Sequence, residues 1–177
     1  MRRLLIALVG CLCCAANASA HGPRRLKVEE TVVIQAPAAK VWGLIADFCV
    51  IRQWHPGIVA CASQGGNAEG ATRILTVKEA GGTQITEELQ KYAAAAMTYK
   101  YKLTRAPLEI LPVTTYSALL SVKDNSDGTS IVQWRGGFYR GHPPANPPQG
   151  LDDQAGLKAV TGSYQAGHTP HTQQAER

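Results

Sequence analysis

From Leu26 to Ile34 apolar and polar residues alternate and β-branched residues gather, a period of two that predicts a strand. The period changes at Ala36-Pro37. Val41, Leu44, Ile45 and Phe48 fall at i, i+3, i+4 and i+7, the single apolar stripe of a short helix, with Trp42 beside it. Pro37 suits the first turn, where its missing N–H costs nothing. Ile51 to Pro56 reads as a second short helical turn that Pro56-Gly57 ends. Period two then returns. Ile58–Ser63, Ala71–Lys78, Thr83–Tyr92, Met97–Thr104, Val113–Lys123 and Thr129–Tyr139 read as six further strands. Turn signals at Gln64-Gly65-Gly66-Asn67, Gly81-Gly82 and Asp124-Asn125-Ser126-Asp127-Gly128 separate them as antiparallel hairpins. Ala93–Ala96 is too short to hold a helix and reads as a link. Pro107 and Pro112 bracket one loop, and the proline-rich run Gly141–Gly150 is another. Leu151-Asp152-Asp153 opens a last helix with an aspartate as N-cap. Leu157, Val160, Thr161 and Tyr164 give that helix its apolar face, and Gly167 and Pro170 are expected to stop it, leaving residues 169–177 as a disordered tail.

A strand, two short helices, six strands and a closing helix make an α+β domain: a curved antiparallel sheet of about seven strands wrapped around a C-terminal helix. With 177 residues and no internal repeat, one domain over residues 21–168 accounts for the chain.

The first 20 residues stand apart. Arg2-Arg3, the short apolar run Leu4–Ala16 and the A-x-A site Ala18-Ser19-Ala20 form a signal peptide, so export to the periplasm with His21 as the mature N-terminus is expected. The net charge is +5, and removal of Arg2 and Arg3 lowers it by two. No Lys/Arg cluster suggests a nucleic-acid partner, and the apolar run is too short for stable membrane insertion. Cys11, Cys13 and Cys14 belong to the leader; Cys49 and Cys61 remain, either bridged or as two thiols.

The early Ala36-Pro37-x-x-x-Val41-Trp42 element, the Trp54-His55-Pro56 that follows and the late helix resemble the SRPBCC or START-like helix-grip superfamily, which includes polyketide cyclase/dehydrase-like proteins. His21-Gly22-Pro23, Met97-Thr98-Tyr99-Lys100-Tyr101, Leu111-Pro112-Val113, Phe138-Tyr139-Arg140-Gly141 and Ala159-Val160-Thr161-Gly162 look like its MxaD-like branch. That resemblance implies a periplasmic protein that assists electron transfer between methanol dehydrogenase and its cytochrome c. The last helix of the family runs further, so a stop at Gly167 and Pro170 would shorten the lid of its cavity.

A helix-grip domain holds a ligand between sheet and helix, in a mostly apolar cavity with a few polar groups. Candidate lining residues are Trp54, His55, Tyr99, Tyr101, Tyr116, Trp134, Phe138, Leu157 and Tyr164, whose bland alternative is an ordinary aromatic core. His55 is the best single polar candidate for proton transfer, and Asp47 or Glu88 could orient it. Arg135 and Arg140 could meet an acidic ligand or simply face solvent. No nucleotide-binding glycine loop, nucleophile elbow or zinc spacing is present, so no metal site and no cofactor are expected. Three functions fit: a non-enzymatic binder of a small hydrophobic ligand or a periplasmic dehydrogenase or cytochrome c partner, a cyclase or dehydratase working through His55, and a periplasmic lipid carrier.

Overall fold

The computed structural model describes residues 23–79 and 81–175; the predicted signal peptide and His21 lie outside them. Seven strands form one antiparallel sheet: β1 Leu26–Ile34, β2 Ile58–Gln64, β3 Thr72–Val77, β4 Gln84–Ala93, β5 Thr98–Arg105, β6 Val113–Asp124 and β7 Ser130–Arg140. Their spatial order is β1-β7-β6-β5-β4-β3-β2, so a meander from β2 to β7 is completed by β1 at its far edge. Helix α1, Ala38–Ile45, and a 3₁₀ turn at Val50–Gln53 connect β1 to β2, and helix α2, Asp153–Ala175, lies across the sheet against β1 and β7. This is the helix-grip architecture.

The alternation read along the chain sets which face is inside. In β5 Tyr99 and Tyr101 are buried while Lys100 between them is exposed. In β6 and β7 Tyr116, Ala118, Leu120, Val122, Val132, Trp134 and Phe138 point to the same core. Helix α1 ends at Ile45, earlier than the apolar stripe suggests, and Phe48 reaches the core from the turn beyond it. Ala94–Ala96 forms a single 3₁₀ turn.

Helix α2 departs from the sequence expectation. It passes through Gly167 and Pro170 and reaches Ala175, over residues where the local rules predict a tail. Gly167 is not a stop. A Cβ there would lie 2.9 Å from the Trp134 ring and 3.2 Å from the Trp54 and His55 rings, so glycine is what lets the helix approach. Pro170 removes one N–H from the helical ladder and the backbone continues past it. At the other end Asp152 Oδ1 accepts the N–H of Ala155 at 2.8 Å and caps the helix.

Two clasps hold the connections. Cys49 and Cys61 form a disulfide with a Cα separation of 5.7 Å, tying the 3₁₀ turn to β2. A loop of this size contributes about 3 kcal/mol by restricting the unfolded chain. Arg140 donates to the carbonyls of His142, Pro143 and Pro144 at 2.9–3.0 Å and approaches Asp153 at 3.4 Å, pinning the proline-rich loop to the start of α2. It is therefore committed within the protein, whereas Arg135 is exposed on the outer face of β7.

Candidate functional site

The site begins with the β3–β4 hairpin. Gly81 and Gly82 take positive φ values of 60° and 85° in its turn, and the resulting register sets Arg73 opposite Glu87. Arg73 shares a strand face with Leu75 and Glu87 shares one with Leu89, and those leucines are buried. The charged pair therefore points inward, with Arg73 1% and Glu87 5% exposed. Glu87 Oε2 accepts from Arg73 Nε at 2.7 Å, and Arg73 Nη2 lies 2.6 Å from the same oxygen as an ion pair. Arg73 Nη1 donates to the Phe48 carbonyl, and the guanidinium lies 4.1 Å from the Phe48 ring centroid and 5.0 Å from that of Tyr101. Burial pushes the Glu87 carboxyl above its usual range, and the adjacent guanidinium opposes this. The ion pair with Arg73 favours the carboxylate form of Glu87.

A second polar line crosses the core. Trp134 Nε1 donates to Tyr101 Oη at 2.9 Å; Tyr101 Oη stands 3.5 Å from Tyr116 Oη, which is 2.7 Å from Tyr164 Oη. Tyr164, from α2, stacks on Trp134 with 4.2 Å between centroids and 8° between planes. Gly136 on β7 makes room, because a Cβ there would collide with the Tyr164 hydroxyl. Burial raises the pKa of Tyr101, Tyr116 and Tyr164, so these phenols stay protonated. Tyr99, packed against Trp42 and Phe48, is pushed up to about 12 by the same cause.

His55 follows the 3₁₀ turn and is braced on both ring nitrogens. Gly57 N–H donates to Nδ1 at 3.1 Å, which assigns the proton to Nε2. Nε2–H then donates to the Ser163 carbonyl at 3.0 Å, with Ser163 Oγ at 3.2 Å. Burial lowers the pKa of His55 and keeps the ring neutral. A general base needs a lone pair aimed at substrate, and here Nδ1 is engaged by Gly57. Neither expected orienting carboxylate serves it. Asp47 caps the N–H of Cys49, and Glu88 pairs with Lys102. His55 acts as a strut between the 3₁₀ turn and α2.

These groups border two adjoining spaces. An inner chamber of about 60 Å³ is lined by His55, Glu87, Tyr101, Tyr116, Trp134, Ser163 and Tyr164, together with aliphatic side chains. An outer groove of about 710 Å³ runs between α2 and the rim of the sheet, where Ile58, Val77, Ile85, Ile110 and Leu111 face Ala155, Ala159, Gly162 and Ala166. His55, Ile58, Ile85, Leu111 and Ser163 line both. Lys78, Glu79 and Lys158 stand at the groove.

The expected lining thus divides. His55, Tyr101, Tyr116, Trp134 and Tyr164 meet at the inner chamber. Trp54, Tyr99 and Phe138 are fully packed in the core away from either space, and Leu157 is half-buried against that core. Trp54 instead meets Trp134 edge-on at 5.7 Å. Arg73, Glu87 and Ser163 join the site without having stood out in the sequence. For the first two a signal exists: folding the hairpin about Gly81-Gly82 pairs opposite charges on the face of Leu75 and Leu89. Among the described residues no three of His, Cys, Asp and Glu converge as a metal site, and no helix is long and apolar enough to cross a membrane.

Known proteins share this geometry. A protein from Bacillus thuringiensis is 27% identical, with TM-score 0.70 over 85% of this chain and 98% of that one. XoxI from Bacillus cereus is 26% identical, with TM-score 0.70 over 84% and 94%. The Zhui aromatase/cyclase of Streptomyces sp. R1128 shares the fold at 18% identity, TM-score 0.66 over 87% and 95%. No curated protein matches the chain by sequence. The family model for polyketide cyclase / dehydrase and lipid transport matches residues 25–169, and the chain belongs to that family.

Proposed function

We propose that this chain is an exported carrier of a small hydrophobic molecule, held between α2 and the sheet. The observation that carries the reading is the outer groove. At about 710 Å³ it falls within the size range of small-molecule sites, and its walls are aliphatic on the sheet side and small on the helix side. Family membership supports ligand binding by such a domain. His55, engaged on both nitrogens, favours holding a ligand over proton transfer to it.

Diphenylhexatriene tests the reading, since it fluoresces in apolar surroundings and has no hydrogen-bonding group. Saturable binding to the whole chain, weakened at least about tenfold by Ala159→Trp at unchanged helicity, is expected, a loss of about 1.4 kcal/mol. No saturable binding by the wild-type chain would sink the carrier. Export to the periplasm and service to a dehydrogenase and its cytochrome c, implied by the MxaD-like resemblance, belong to the same proposal. Cell fractionation tests the first and a pull-down with the unreduced protein the second.

A further inference from the structure

The two spaces differ in chemistry, and the difference selects an orientation and a class of ligand. The groove is wide and mostly apolar. The chamber behind it is small, and about 60 Å³ suits a few water-sized groups, a head group and no ring. The polar atoms of the chamber wall are largely spoken for. The His55 Nε2 proton goes to the Ser163 carbonyl, and Nδ1 accepts from Gly57. The Tyr101, Tyr116 and Tyr164 hydroxyls lie along one line begun by Trp134 Nε1. Arg73 donates Nε to Glu87 and Nη1 to the Phe48 carbonyl, its Nη2 sits 2.6 Å from the same Glu87 oxygen as an ion pair, and it is not among the residues lining the chamber.

Glu87 does reach that wall, and the bonds to Arg73 fall on Oε2. A carboxylate accepts only, and it has more acceptor positions than one guanidinium edge fills. The formal charge presented to the chamber is therefore negative, with its positive partner behind. A ligand head that donates a hydrogen bond is stabilised there, and a carboxylate head is repelled. Resting on the carrier reading above, we infer that the inner chamber is a recognition pocket for a hydroxyl, phenol or amine head group, with Glu87 as its acceptor and the apolar body of the ligand in the outer groove. His55, Ile58, Ile85, Leu111 and Ser163 border both spaces, and the head and body of the ligand would meet beside them. Lys78, Glu79 and Lys158 sit at the groove, so its wall carries charge of both signs.

The test compares 2-naphthol with 2-methoxynaphthalene, which keeps the oxygen and loses the donor, and with naphthalene as baseline. Binding is read from quenching of the chain's tryptophan fluorescence near pH 7. The expected result is 2-naphthol at least about tenfold tighter than its methyl ether, the size of one hydrogen bond to a charged acceptor. In Glu87→Gln that advantage falls to about threefold or less, while naphthalene binds as before. If Glu87→Gln does not fold, the wild-type series decides alone. Equal binding of 2-naphthol and its ether overturns the head-group assignment and leaves the carrier standing. Failure of all three probes, naphthalene included, overturns the carrier reading and this one with it.

Discussion

Helix α2 has two sides, and they solve opposite problems. On one, Val160 and Tyr164 are buried, with Tyr164 stacked on Trp134, and Gly156 and Gly167 let the backbone close on Phe138, Val113 and the Trp134 ring. On the other, Ala155, Ala159, Gly162 and Ala166 face Ile58, Ile85, Ile110 and Leu111 across open volume. Glycine appears on both sides with opposite effect: at Gly167 it permits contact, whereas a Cβ added at Gly162 would meet nothing within 4 Å. The filled side is dense in aromatic rings and holds the buried ion pair nearby; the open side is made from the smallest residues available. The cavity is thus set by which side-chain sizes fall on which face of one helix, and it coexists with a closely packed core.

That contrast can be broken hardest from below. Arg73→Met leaves Glu87 buried without its cation and should cost about 4 kcal/mol in urea unfolding, whereas Arg73→Met with Glu87→Leu should recover most of the loss. Tyr164→Ala empties the filled side. It removes the stack on Trp134 and the partner of Tyr116, and about 3 kcal/mol of stability should go with it, read from the same denaturation curve. Acid acts more gently. Burial lowers the pKa of both His55 and His168, so the unfolded chain binds more protons as pH falls through 6.5 toward the folded values. Stability should therefore be full above that range and decline below it. The melting temperature should fall between about pH 7.5 and 5, and His55→Gln should flatten part of the fall. The smallest stability effect belongs to the open side: Ala159→Trp should change unfolding free energy by less than about 1 kcal/mol while weakening probe binding at least about tenfold, because the added ring meets volume and not packing. A large loss there would show the groove to be closed in solution.

The strands, the α1 stripe and the aspartate at the start of α2 are legible in the sequence because each depends on local periodicity or local capping. Tyr101, Tyr116, Trp134, Tyr164 and His55 are legible as residue types suited to a cavity, but not their separation from Trp54, Tyr99 and Phe138. All eight are apolar-face residues of similar size, and only the crossing of α2 over the sheet decides which of them border space. The ion pair is hidden for another reason. Single charges in a strand ordinarily read as solvent-facing, and the cost of burying Arg73 is offset only by partners 14 and 25 residues away, Glu87 and the Phe48 carbonyl. The length of α2 escapes local rules, by which Gly167 and Pro170 are breakers, while the close approach to Trp134 that calls for Gly167 is tertiary.

The pairing of β1 with β7 joins Leu26 to Phe138, so the first strand made waits for the last. Contacts of such long sequence separation slow folding, because the intervening loop must close before they form. The helix that completes both chamber and groove begins later still, at Asp153. During synthesis the sheet with Leu75, Tyr101 and Trp134 therefore exists before α2 covers it. The space between sheet and helix is the last part of the molecule to be built, and a chain cut short before α2 would present that aromatic surface to every other chain around it.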